Sequence, residues 1–165
     1  MSRTPFFFVE RFNFNTNQYE LQHPYVWNYK HDKLIPAELF PYNGCHELFA
    51  IVEERAEDAP DMQGIHNNFP KDMSKEIQEM WEKTFDEEYS TSKIRWFTYA
   101  DMYIYLLKNP KVRDYDLPSE EGQPIPFKDN PLTALKERVD AFMEVVDGWN
   151  WQDDYSLIRI VYWIE

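Results

Sequence analysis

The chain has 165 residues, 43% of them hydrophobic and 18% aromatic, and a formal net charge of −13. That length suits one domain with a buried core, and the apolar content excludes wholesale disorder. The acidic surplus disfavours direct binding of DNA or RNA backbones, while a single cysteine excludes an internal disulfide and a Cys-rich zinc site. No apolar stretch approaches the roughly 18 residues of a membrane helix, and the start lacks a basic region followed by an apolar one. A reducing cytosol is the expected location.

Residues Thr4 to Phe12 predict a strand beginning near Pro5. Asn13-Phe14-Asn15-Thr16-Asn17 supplies turn chemistry, and Gln18 to Gln22 returns as a second strand. From His23 to Tyr42 the chain is rich in aromatics and holds Pro24, Pro36 and Pro41, so ordered loop is expected, with a short strand around Tyr25–Tyr29. Asn43 caps a short helix over Gly44–Glu54, in which Cys45, Leu48, Phe49 and Val52 fall at i, i+3, i+4 and i+7. Glu53 to Asp61 is acidic and reads as a solvated turn. A second helix is predicted from Met73 to Glu88, with Met73, Ile77, Met80, Trp81 and Phe85 on one face and Asp72 or Ser74 as its cap.

Thr98-Tyr99-Ala100-Asp101 sets a hydroxyl at a cap and a carboxylate three residues on, opening a helix that Asn109-Pro110 stops. Residues 109–130 hold Pro118, Pro124 and Pro126 beside Ser119-Glu120-Glu121-Gly122 and predict a long Pro-rich acidic loop. Asn130-Pro131 then opens the longest amphipathic helix, carrying Leu132, Leu135, Val139, Phe142, Met143 and Val146 and ending at Gly148. The final stretch, Ser156 to Glu165, is almost all β-branched or aromatic and predicts a central strand packed on both faces. The expected fold class is α+β: a single domain over 1–165, mainly antiparallel sheet, with the N- and C-terminal strands central and about four helices on one face.

The usual chemical motifs are missing: no Gly-rich phosphate loop, no His-Glu-x-x-His and no Gly-x-Ser-x-Gly. His23, His31, His46 and His66 are scattered without ligand spacing, and Asp153-Asp154 reads as a solvated turn. Cys45 and His46, neighbours on a helix, point about 100° apart and do not face each other. No metal, cofactor or catalytic set is therefore expected. Arg159 stands out, because a guanidinium inside a strand must be paired or reach solvent. Either a carboxylate on a neighbouring strand such as Glu10 holds it, or it clamps a ligand's phosphate or carboxylate. Arg95-Trp96 invites a base-and-phosphate reading, against plain packing ahead of the Thr98 helix.

Several stretches together resemble an uncharacterised family of small proteins common in bacteriophage genomes. Its members open Met-Gly-Cys-Asp-Ile-His with a short strand ending Val-Glu. They continue with an Asn-Tyr-x-Leu-Phe-Ala helix, a Gly-Leu-Pro-x-Asp-Val-Ser segment and a His-Ser-x-Ser-hydrophobic-Thr segment, and close Arg-Ile-Val-Phe-Trp-Phe-Asp. The counterparts here, in the same order, are Phe8-Val9-Glu10, Asn43 with Leu48-Phe49-Ala50, Asn68-Phe69-Pro70-Lys71-Asp72-Met73-Ser74, Ser90-Thr91-Ser92 with Thr98, and Arg159-Ile160-Val161-Tyr162-Trp163-Ile164-Glu165. The family's Cys-Asp-Ile-His falls on Arg3-Thr4-Pro5-Phe6, and its Pro-Arg-Gly on His66-Asn67-Asn68, so polar and cationic groups of the pattern are lost. The resemblance implies a phage setting and no reaction.

For such a setting the expected role is an accessory or counter-defence protein that binds and sequesters a small nucleotide-derived signal. The ligand residues on that reading are Arg159, Arg95, Trp96, His66, Asn67, Asn68, Tyr42, Asn43 and Ser92. The alternative is an acidic inhibitor that blocks a basic host protein, a nucleic-acid enzyme such as a CRISPR nuclease. A signal-degrading enzyme and an inert virion component are the further readings, and a homo-oligomer is compatible with all of them.

Overall fold

The computed structural model describes residues 5–22, 25–29, 32–36, 46–55, 57–84, 93–115, 117, 120–148 and 150–164. Strand β1 (Pro5–Asn13) turns through Asn17, whose φ of 56° is the left-handed conformation asparagine tolerates, into β2 (Gln18–Leu21). β3 (Tyr25–Asn28) is the short strand expected around Tyr25–Tyr29, and it pairs with β4 (Lys33–Pro36) where loop was expected, forming a second hairpin. Pro36 sits at its end, where a missing N–H costs least.

Helix α1 (His46–Val52) ends two residues before the predicted Glu54, and Asn43, Gly44 and Cys45 lie outside the described residues. It is buried from Glu47 through Val52 rather than along one stripe. Helix α2 (Lys75–Thr84) starts two residues after the expected Met73, and Phe85 lies outside the described residues. Strand β5 (Arg95–Thr98) leads straight into α3 (Tyr99–Lys108), where the Thr98 hydroxyl accepts from the Asp101 backbone N–H and donates to its carboxylate at 2.9 Å. The segment 109–130 is not loop throughout. Its ends form a ladder of β6 (Lys111–Arg113) with β7 (Phe127–Asp129), closed by the Asn130 N–H on the Pro110 carbonyl.

Helix α4 (Leu132–Asp147) is capped by Asn130, whose side-chain oxygen accepts from the Leu132 N–H at 3.0 Å while its amide donates to the Asn109 carbonyl. A 3-10 turn over Asn150–Asp154 then delivers β8 (Ile158–Ile164).

The main sheet runs β2-β1-β8-β5, antiparallel throughout, so β1 and β8 are central as expected. Every residue of β8 is buried. The two sides of the sheet make separate cores. On one, Phe7, Val9, Phe97, Ile158, Ile160, Tyr162 and Ile164 pack with α1, α3 and α4. On the other, Phe8, Val161 and Trp163 pack with Ile77 and Trp81 of α2. The fold class is thus α+β in one small domain, with one correction: three helices cover one face and α2 the opposite one. The reason is the alternation along β8, apolar on both sides of the pleat, so that four helices on one face would have left Trp163 and Val161 in water.

Buried carboxylates tie the outer pieces to this frame. Glu47, fully buried on α1, accepts from Lys128 Nζ at 2.7 Å and from the Tyr115 backbone N–H, anchoring the β6–β7 ladder. Tyr99, Tyr103, Trp151 and Tyr155 pack edge and face on one another beside α4, with the Tyr99 hydroxyl donating to Asp140.

Burial, and for Tyr99 and Tyr155 also the Asp140 charge, raises the pKa of Tyr99, Tyr105, Tyr155 and Tyr162 above the ordinary 10.0. A proton held more tightly by the folded than by the unfolded state contributes stability that is complete below the unfolded pKa. It is lost as pH climbs from about 10 towards the folded values, because only the unfolded chain gains the freedom to ionise. Absorbance titration of phenolate should therefore show the three fully buried ones, Tyr99, Tyr105 and Tyr162, ionising only together with loss of the near-UV circular dichroism. Smooth titration of all eleven in the folded protein would contradict it.

Candidate functional site

One corner of the sheet gathers most of the polar residues that the sequence singles out. Outside β5, His66 forms an antiparallel bridge to Trp96 through two backbone hydrogen bonds of 2.8 and 3.0 Å. Side chains opposite each other in such a bridge share a face, and their neighbours take the other face. Hence the His66 imidazole lies parallel on the Trp96 indole, ring centres 3.9 Å apart and 12° from coplanar. Asn68, two residues on, accepts from Trp96 Nε1 at 3.0 Å on that same side. On the other side Asn67 accepts from Arg95 Nε at 2.5 Å and donates to Glu54 Oε2.

Arg159 is the centre of the site's interior and is 2% exposed. Its Nε donates to Glu10 Oε1 at 2.7 Å, the pairing expected from the strand alternative, and β1 and β8 place the two residues directly opposite each other. Glu10 Oε2 accepts the Ser74 backbone N–H, so one carboxylate joins β1, β8 and the start of α2. Ser74 sits at the cap position of α2, its carbonyl taking the Gln78 N–H. Its hydroxyl finds no partner among the described residues, so neither expected side-chain cap operates in the form foreseen. The Tyr19 ring lies 3.4 Å below the guanidinium carbon and the Trp96 ring 5.4 Å away. A row of Tyr19, Arg159, Trp96 and His66 therefore crosses one face of the sheet, from edge strand β2 past β8 to the bridge outside β5.

Of the nine residues expected to bind a ligand, six meet at this corner: Arg159, Arg95, Trp96, His66, Asn67 and Asn68. Tyr42, Asn43 and Ser92 lie outside the described residues. The meeting differs in kind from the expected clamp. Arg159 is committed to Glu10, and both asparagines, though exposed, have their side chains engaged by Arg95, Glu54 and Trp96. Arg95 and Trp96 point to opposite sides of an edge strand, so one small ligand cannot take a base on the indole and a phosphate on that guanidinium without wrapping the edge. Two groups stay open to solvent: the outer side of the exposed His66 ring, and the terminal nitrogens of half-buried Arg95, which have no partner among the described residues.

Tyr19 was not foreseen as part of the site. The hairpin register that sets Tyr19 opposite Phe12, hence on the side of Glu10, is the signal that could have found it. Asp154, one of the acids before β8, is held with Asp147 by Arg11. No group of three or more metal-ligating side chains gathers among the described residues, and no helix there is long and apolar enough to cross a membrane. No protein-family model, curated protein or solved structure matches the chain.

Proposed function

We propose that the chain acts by binding rather than by catalysis, as a counter-defence type of accessory protein that covers a basic surface of a host nucleic-acid enzyme. The observation that carries this reading is where the cations go. Arg159 is neutralised by Glu10, Arg11 by Asp147 and Asp154, Lys128 by Glu47 and Asp114, Lys136 by Asp140 and Lys111 by Asp129. These five cations hold seven carboxylates, and the chain still carries a net charge of −13, most of it on the remaining side chains. Such a field speeds encounter with a basic groove and repels free nucleic acid and small polyphosphates alike. The acidic turn after α1, with Glu54 and Glu57 exposed beside Glu53, is a dense part of the acidic surface. The phage setting comes from the motif resemblance, and a cytoplasmic location follows from the target class.

The test is biolayer interferometry against purified host nucleases, CRISPR effectors among them, across a salt series. Binding should weaken as salt rises, and the triple change Glu53→Lys, Glu54→Lys, Glu57→Lys should lower affinity at least about tenfold and flatten that dependence. Affinity that ignores both salt and the triple change would sink the proposal.

One observation favours a second reading, sequestration of a nucleotide-type signal. The outer side of the His66–Trp96 stack is an aromatic ledge of the size of a base. Calorimetry with cyclic dinucleotides and ADP-ribose derivatives tests it, and heat that persists in His66→Ala, or no heat at all, removes it.

A further inference from the structure

Helix α3 is apolar on every side. Of its ten residues only Asp101 and Lys108 are charged. Tyr99, Met102, Tyr105 and Leu106 face the core and are buried. The opposite side presents Ala100, Ile104 and Leu107, with Ile104 50% and Leu107 66% exposed, and Tyr103 on its flank. A helix hydrophobic all round normally has both sides covered, and here one side has no cover among the described residues.

We propose that the outer stripe of α3 is a self-association surface whose occupant is the α3 of a second copy, packed antiparallel about a two-fold axis near Ile104. The charges select that occupant. Asp101 and Lys108 are seven residues apart, two turns along one flank of the stripe, and their midpoint falls beside Ile104. An antiparallel two-fold pair brings like flanks together in reversed order, so each Asp101 meets Lys108 of the second copy. Lys108 has no ion-pair partner among the described residues, and the Asp101 carboxylate, though bonded to Thr98, stays half-buried rather than enclosed. The same symmetry lays Leu107 against the gap above Ala100, the small residue that lets a large one seat. A uniformly basic segment would gain Asp101 and be repelled by Lys108.

A pair of ten-residue helices covers less than the roughly 800 Å² per partner of a standard interface, so association is weak and concentration-dependent. Its salt dependence has a defined sign. Two solvent-exposed rim ion pairs contribute little, whereas two bodies each carrying −13 repel one another, so added salt strengthens the dimer. That is opposite to the sign expected for a basic partner, and the two proposals stand or fall separately.

Sedimentation velocity over a concentration series to the millimolar range tests this in the full chain. The expected result is a dimer fraction that grows with protein and with salt, and that falls at least about tenfold in association constant for Ile104→Glu or Leu107→Glu. Both changes lie at exposed positions and should leave the melting temperature unaltered. As an independent measure, Ile104→Cys in a Cys45→Ser background should form an oxidative cross-link through the two-fold axis. A monomer at every concentration, or a dimer indifferent to both glutamates and silent in cross-linking, overturns the proposal.

Discussion

Glu10→Ala should lower the unfolding free energy by about 3–5 kcal/mol, the largest loss expected from any change to a single polar group here. The size follows from what remains. Arg159 is 2% exposed, sealed by the Tyr19 ring and by strands on both sides. With Glu10 gone, the guanidinium is left buried without a counter-charge, and the Ser74 N–H at the head of α2 loses its acceptor as well. Urea unfolding monitored by tryptophan fluorescence measures the effect. Glu10→Gln, whose single amide oxygen can accept from only one of the two donors while its NH2 faces the other, should cost nearly as much as the alanine. The double change Glu10→Leu, Arg159→Met should recover most of the loss, because desolvating two charges already offsets much of what their attraction contributes. A cost below about 1 kcal/mol for Glu10→Ala would mean that water reaches the pair.

Trp163→Ala should cost about 3–5 kcal/mol as well, through a cavity rather than a charge. The indole is 1% exposed and contacts Phe6, Phe8 and Trp81, with ring centres 5.8, 5.2 and 5.3 Å away. It is the piece through which α2 grips the sheet. Trp163→Phe should cost clearly less than the alanine. It keeps most of the ring contact and removes a buried indole N–H that finds no partner among the described residues. Equilibrium unfolding with near-UV circular dichroism separates the two. Equal losses for Phe and Ala would show that the site tolerates no repacking at all.

Local patterns were legible where one residue type has one physical use. The Thr98–Asp101 cap, the Asn130 cap and the central position of β8 could all be read from composition and spacing, because hydroxyls, short amides and β-branched runs do few other things. So could Glu10 as the counter-charge of Arg159, since a cation inside a strand narrows its options to an acid on an adjacent strand. The second face of the sheet was misjudged, although Val161 and Trp163 alternate with Ile160 and Tyr162. A run apolar at every position shows that both sides are buried without saying which helix covers which. The β6–β7 ladder was hidden by its prolines, which all fall in the connection between the strands and not in the strands themselves. The candidate site was half legible. Residue types that favour ligands were found, and five of them proved to hold one another through a single bridge, His66 to Trp96, that no local pattern encodes.

The central ladder also governs how quickly the molecule can be assembled. Glu10 and Arg159, opposite each other in the middle of the sheet, are 149 positions apart along the chain. Closing so large a loop precedes any gain from the contact, which places folding in the slow regime of milliseconds to seconds typical of non-local topologies. Until that closure the β1–β2 hairpin presents an unpaired edge bearing Phe6, Phe7 and Phe8, so the interval before docking is when the chain is most prone to stick to its neighbours.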